Sequence, residues 1–197
     1  MKQFFVLLAL LYSFSAFAQD HKDKEILVAD STWSKELIMF PLGFAPEIDY
    51  EGYEDIRFAK GWNDPKGDSF FTYAFVWNIN LEEPPNASML NEYMALYYDG
   101  LMTAVNKDQS VTVPDSEIKF EIDEDSSDAL NFKGIMKVYD AFFTKKIITL
   151  YAKVESFYCI DQNKYMLLFR ISTLDYQSTI WNQLQTIQLT ANHCDKN

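Results

Sequence analysis

The stretch Phe70–Ile79 constrains the fold more than any other part of this chain. In an extended strand, side chains alternate between two faces. Phe71, Tyr73, Phe75, Trp77 and Ile79 then share one face, and Phe70, Ala74 and Val76 share the other. Apolar groups on both sides require cover on both sides, so the stretch reads as a central strand. A run at Ile56–Trp62 precedes it across Asn63–Asp68, whose Asn, Asp, Pro and Gly residues suit a turn, and the two runs predict a hairpin. Lys35–Phe40 reads as another strand, stopped by Pro41. Between them, residues 42–55 hold two Gly, one Pro and many carboxylates, which reads as a long structured loop.

After Pro84-Pro85, Asn86 or Ser88 can cap a helix over about Ser88–Lys107. Leu90, Tyr93 or Met94, Tyr97, Leu101 and Val105 recur there at three- and four-residue steps, the pattern of an amphipathic helix laid on a sheet. Four strand-like runs follow, at Glu117–Ile122, Phe132–Tyr139, Lys146–Cys159 and Lys164–Thr173. A second amphipathic helix is predicted over about Ser178–Ala191, burying Ile180, Trp181, Leu184 and Ile187. Strands and helices come in blocks without regular βαβ alternation. The expected class is therefore α+β, an antiparallel β-meander in one sheet or two abutting sheets, with both helices packed on it. In element order alone the chain resembles the Mog1/PsbP-like sandwiches. That resemblance implies a layered fold, carries no sequence motif and transfers no functional residue.

The N-terminus reads as an address. Met1-Lys2-Gln3 precedes an apolar run from Phe4 to Phe14, then Ser15-Ala16-Phe17-Ala18, which matches a secretory signal peptide cleaved after Ala18. The apolar stretch of about 15 residues falls short of the roughly 20 that a membrane-spanning helix needs. Residues 19–32 are expected to be a loose charged leader and residues 33–197 a single domain. Its composition supports this, since 48% of the 197 residues are hydrophobic and only six are Gly and six Pro. The expected location is exported, periplasmic or extracellular, with no transmembrane anchor after cleavage. In an oxidising compartment the pair Cys159 and Cys194 is expected to form a disulfide. Two free thiols or a redox pair are the alternatives.

The chemistry available is narrow. Seventeen basic against 29 acidic side chains give a net charge of −12, which opposes binding to nucleic acid or to an anionic membrane. The two histidines, His21 and His193, lie in the leader and the tail, so a histidine-served nucleophile is not expected. A zinc set is excluded on the same ground. No Gly-rich phosphate loop occurs, and no cofactor is expected.

Carboxylates, tyrosines and two arginines remain. Glu47, Asp49, Glu51, Glu54 and Asp55 interleave with Tyr50 and Tyr53 in a segment suited to a ligand or partner, or simply to solvent. Arg57 and Arg170, the only arginines, are candidates either for gripping an anion or for internal ion pairs. Trp77 and Trp181 fit the core by periodicity, whereas Trp62 beside the turn is a candidate stacking residue. Ligand-binding candidates are thus Tyr50, Tyr53, Arg57 and Trp62. Asp123, Asp125 and Asp128 form a calcium candidate that lacks the Gly and the closing Glu of an EF-hand loop. Asn86-Ala87-Ser88 matches a glycosylation sequon. The functional expectation is a secreted or periplasmic non-catalytic binding module for an unknown protein, small-molecule or glycan partner. The alternatives are an envelope-associated assembly or stability factor and a carboxylate-dependent extracellular hydrolase.

Overall fold

The computed structural model describes residues 24–108, 110–124 and 130–195. The predicted signal peptide, residues 19–23 of the predicted leader, Asp125 and Asp128 lie outside the described residues. The strands are β1 (Leu27–Val28), β2 (Ser34–Phe40), β3 (Gly52–Phe58), β4 (Tyr73–Leu81), β5 (Glu117–Ile122), β6 (Phe132–Tyr139), β7 (Ile147–Cys159), β8 (Lys164–Ser172) and β9 (Gln188–Leu189). The helices are α1 (Ala87–Val105) and α2 (Ile180–Gln185). Seven strands form one antiparallel sheet in the order β2-β3-β4-β8-β7-β6-β5, and β1 pairs with β9 in a second, two-stranded sheet. The α+β class and the antiparallel sheet are therefore as the sequence indicates, in one large sheet rather than two abutting ones. Each half is a meander, and they join where β4 meets β8.

The aromatic strand lies inside the sheet, between β3 and β8. Tyr73, Phe75, Trp77 and Ile79 join a core with Leu90, Met94, Tyr97, Tyr98 and Met102 of α1, while Ala74 and Val76 join a second core with Ile180, Trp181 and Leu184 of α2. Both faces are covered, as alternation requires. The strand starts at Tyr73 rather than Phe70, because Phe71 has φ of 50° and breaks the alternation. Phe70 and Phe71 consequently enter the same core.

Other boundaries differ for identifiable reasons. The expected loop over residues 42–55 gives way to strand at Gly52, which places Glu54 and Asp55 in the middle of a buried strand. The expected helix over Ser178–Ala191 ends at Gln185, because the chain then pairs Leu189 with Leu27 and Gln188 with Val28. The same pairing anchors the end of the predicted leader, where Ile26 and Leu27 are buried. Among Asn86 and Ser88, Asn86 is the cap of α1, its side chain accepting from the Met89 amide at 3.0 Å. No helix among the described residues is long and apolar enough to cross a membrane.

Candidate functional site

Helix α1 lies closest to β5 and β6. Asn91 accepts from the Phe120 amide at 2.6 Å and Asp99 from the Ser116 amide at 2.8 Å, holding the helix on that side of the sheet. The β2–β3 half of the same face is left to loops and rings. Between that half and α1 lies a cavity of about 540 Å³, walled by Ile38, Ile56 and Phe58 from the sheet, Tyr98, Leu101 and Val105 from the helix, and Trp62 and Phe142 from two connections.

Local chemistry sets these walls. The Phe71 amide donates to the Trp62 carbonyl at 2.8 Å, closing the β3–β4 connection. Gly61, at φ of 84°, supplies the turn just before Trp62. The Trp62 ring then lies 4.5 Å from that of Phe58 and edge-on to Phe143 at 5.4 Å. Phe142 and Phe143 are presented by a tight turn in which the buried Asp140 carboxylate accepts from the amides of Phe142, Phe143 and Thr144 at 2.9, 3.0 and 2.6 Å. Each ring contact of this kind contributes about 0.5–1.5 kcal/mol beyond burial. The result is a preformed apolar hollow.

Polar groups in and behind the hollow are few. Tyr73 and Tyr98 share a hydrogen bond between their hydroxyls, and burial raises both phenols above their ordinary range. Glu36 is the one carboxylate lining the cavity among the described residues. Glu54 is fully buried behind the wall, accepting from the Tyr97 hydroxyl at 2.9 Å and from Trp77 Nε1 at 3.0 Å. Its carboxyl is pushed up to about 8, chiefly by burial, against the lowering effect of those two bonds. It is protonated at neutral pH and sealed from solvent.

The four residues singled out from the sequence do not converge. Neighbouring positions along β3 face opposite ways, so Tyr53, Asp55 and Arg57 turn away from the face that carries Glu54 and Ile56. Trp62 alone lines the apolar cavity, half-buried among rings rather than standing free as a stacking platform. Tyr50 is half-buried against Tyr93, hydroxyl to hydroxyl at 3.2 Å. Tyr53 is buried and accepts from Asn78 Nδ2 at 2.7 Å. Arg57, a candidate for an external anion, is 5% exposed and wholly engaged inside the protein. It pairs with Asp55 and donates to the carbonyls of Ile56 and Leu27, each at 2.8 Å.

The remaining candidates also have partners inside the protein. Arg170 donates to the carbonyls of Leu184 and Ile187 at 2.9 Å, satisfying the end of α2, and pairs with Glu155 at 2.7 Å. Asp123, from the calcium candidate, is buried with Lys133 at 3.9 Å and Lys153 at 4.0 Å, two cations that compete with a metal. Cys159 and Cys194 are disulfide-bonded. Together with His193 they form a cluster within 4.8 Å, but a disulfide has no thiolate to offer a metal. Sequence reasoning missed Tyr98 and Phe142 as cavity walls and Asp140 as the group that builds the turn. The pair Phe142-Phe143 between strands was the available signal.

Comparison of the chain with protein-family models, curated proteins and solved structures gives no match.

Proposed function

We propose that this chain is an exported, non-catalytic binding module that holds a small, mostly apolar molecule in the aromatic cavity between α1 and the β2–β3 edge. The observation that carries this reading is the cavity itself. Its volume of about 540 Å³ falls within the roughly 300–1,000 Å³ typical of small-molecule sites. Its walls are rings and aliphatic side chains fixed by the fold. The occupant that suits it is a ring or short acyl chain bearing a single hydrogen-bonding group, since Glu36, the Trp62 indole N–H and the tyrosine hydroxyls are the polar side-chain groups there. Export is supported by the N-terminal sequence pattern and by the disulfide, which belongs to oxidising compartments. A helix against each face of an antiparallel sheet supports the Mog1/PsbP-like sandwich as the finer description of the fold.

Calorimetric titration with 4-alkylphenols of increasing chain length tests this reading. Saturable binding with a negative heat-capacity change, growing with chain length, is expected. Trp62→Ala and Leu101→Asp are expected to weaken it by about tenfold or more, the loss of a buried anchor. Alkylphenols that fail to bind, or that bind both variants unchanged, overturn the assignment.

The carboxylate-dependent hydrolase is the second reading, and a different cavity favours it. A polar hollow of about 700 Å³ on the opposite face is lined by Glu25, Glu51 and Asp195 from three separate segments. Glu25 is held by Lys35 at 2.6 Å, which leaves Glu51 and Asp195 as its acids. Release of reducing ends from a soluble polysaccharide, lost in Glu51→Gln, would favour this reading over the first.

A further inference from the structure

The polar hollow is built around a buried asparagine. Asn78, 8% exposed, sits inside β4 where the register with β8 slips, Trp77 pairing with Leu167 and Leu81 with Tyr165. Irregularities of this kind re-aim a side chain out of the ladder. The Asn78 amide oxygen accepts from Lys164 Nζ at 2.5 Å, and its nitrogen donates to the Tyr53 hydroxyl at 2.7 Å. The asparagine thereby ties β3 to β8 and fixes the positions of an ammonium group and a phenol.

Three donors are left over. An ammonium group carries three N–H bonds and Asn78 takes one; the Tyr53 oxygen accepts from Asn78, so its own O–H is free to donate. Among the described residues no carboxylate lies within 4.0 Å of Lys164, although it is half-buried and burial lowers its amine from the ordinary range. Backbone geometry guards the spot. Gly52, at φ of 138°, would place a Cβ 2.2 Å from the Asn78 carbonyl oxygen, so only glycine fits beside the asparagine. On the opposite wall the tail is fastened by Gln162 Nε2, which donates to the carbonyls of Cys194 and Asp195 at 2.8 and 2.9 Å, and by the Cys159–Cys194 disulfide. Glu51 and Asp195 face the same hollow with no ion-pair partner among the described residues.

We propose that this hollow binds a zwitterion of the amino-acid or short-peptide class, its carboxylate held by Lys164 and Tyr53 and its ammonium group by Glu51. Charge decides against the simpler anion. A phosphate would meet the Lys164 donors but also the carboxylates of Glu51 and Asp195 in a chain of net charge −12, whereas a zwitterion answers both signs. The site stands on the sheet face opposite the aromatic cavity and does not depend on it.

The test is calorimetric titration of the disulfide-bonded protein with alanyl-alanine, its N-acetyl form, its C-terminal amide and inorganic phosphate. The free dipeptide is expected to bind, and each capped form to bind about tenfold or more weakly, because the amide leaves the half-buried Lys164 ammonium unpaired and the acetyl group removes the charge that answers Glu51. Lys164→Met and Glu51→Gln are expected to reduce dipeptide binding by a similar factor. Glu51→Gln, at an exposed position, is expected to leave the melting temperature unchanged, so a folding defect does not explain its loss. Equal binding of the capped forms, tighter binding of phosphate, no binding of the dipeptide, or dipeptide binding unaltered by Glu51→Gln would each overturn the proposal.

Discussion

The side chain of Glu54 lies wholly inside the protein with the Tyr97 hydroxyl donating to it at 2.9 Å, so a carboxyl group on β3 is joined to the middle of α1. This bond crosses the same interlayer space that opens into the aromatic cavity, and it explains how an acid tolerates a core position. Protonated, it is a hydrogen-bonding group rather than a buried charge.

Stability is therefore predicted to fall as the pH rises through neutrality. The folded carboxyl titrates at about 8 against an ordinary value of 4.5. Between these values the folded state holds a proton that the unfolded state has released. The contribution is fully present below about pH 4.5, declines as pH rises, and is lost above about 8. The slope from this one group approaches about 1.4 kcal/mol per pH unit in the window. Glu54→Gln, which keeps the shape without the titration, is expected to flatten that slope. Urea unfolding at a series of pH values checks it; parallel pH profiles for the two proteins would contradict it.

Asn86→Ala is expected to cost about 1 kcal/mol, because it removes the acceptor for the Met89 amide at the start of α1. Asn86→Asp and Asn86→Ser are expected to recover most of that loss. Midpoints of chemical unfolding distinguish the three, and an unchanged Ala variant would show that the cap contributes nothing.

Reduction of Cys159–Cys194, which are 35 residues apart, is expected to cost about 4 kcal/mol in the chain-entropy account. The loss should also loosen the tail that walls the polar hollow, raising amide exchange at residues 190–195 more than in β4. Uniform exchange across both segments would argue that the bridge does not anchor the tail.

Gly100→Ala is expected to destabilise by more than about 2 kcal/mol. A Cβ at this position of α1 would sit 1.8 Å from the Phe44 carbonyl oxygen, backbone that has no room to yield. Phe44 also lines the aromatic cavity, so alkylphenol affinity should fall with stability. A variant of wild-type stability would mean that the loop is free to move off the helix.

Much of the architecture was legible in the sequence because it follows from periodicity. Alternation on both sides of Tyr73–Ile79 marks a strand inside the sheet, and β5 to β8 appear as four consecutive runs. Apart from the strand start moved by the positive φ of Phe71, the differences arise from long-range pairing of polar groups. Glu54 and Asp55 look like loop residues until Trp77, Tyr97 and Arg57 are seen to partner them. The last helix looks longer until β9 is seen paired with β1. The candidate site was less legible for the same reason. Tyr53, Arg57 and Trp62 are close in sequence, yet the first two project from the sheet face opposite the cavity that Trp62 lines, and Asn78 and Lys164 are brought together from 86 positions apart.

A ligand seated in the aromatic cavity must touch the rings that wall it. The most direct measurement is two-dimensional NMR of the disulfide-bonded protein titrated with 4-hexylphenol, reading contacts between ligand protons and protein rings. Saturable shifts and intermolecular contacts are expected at Trp62, Tyr98 and Phe142, with Trp181 and Tyr53, in the core on the other face of the sheet, unaffected. Contacts at Trp181 or Tyr53 without contacts at Trp62, or no saturable shift at all, would place the ligand elsewhere or nowhere.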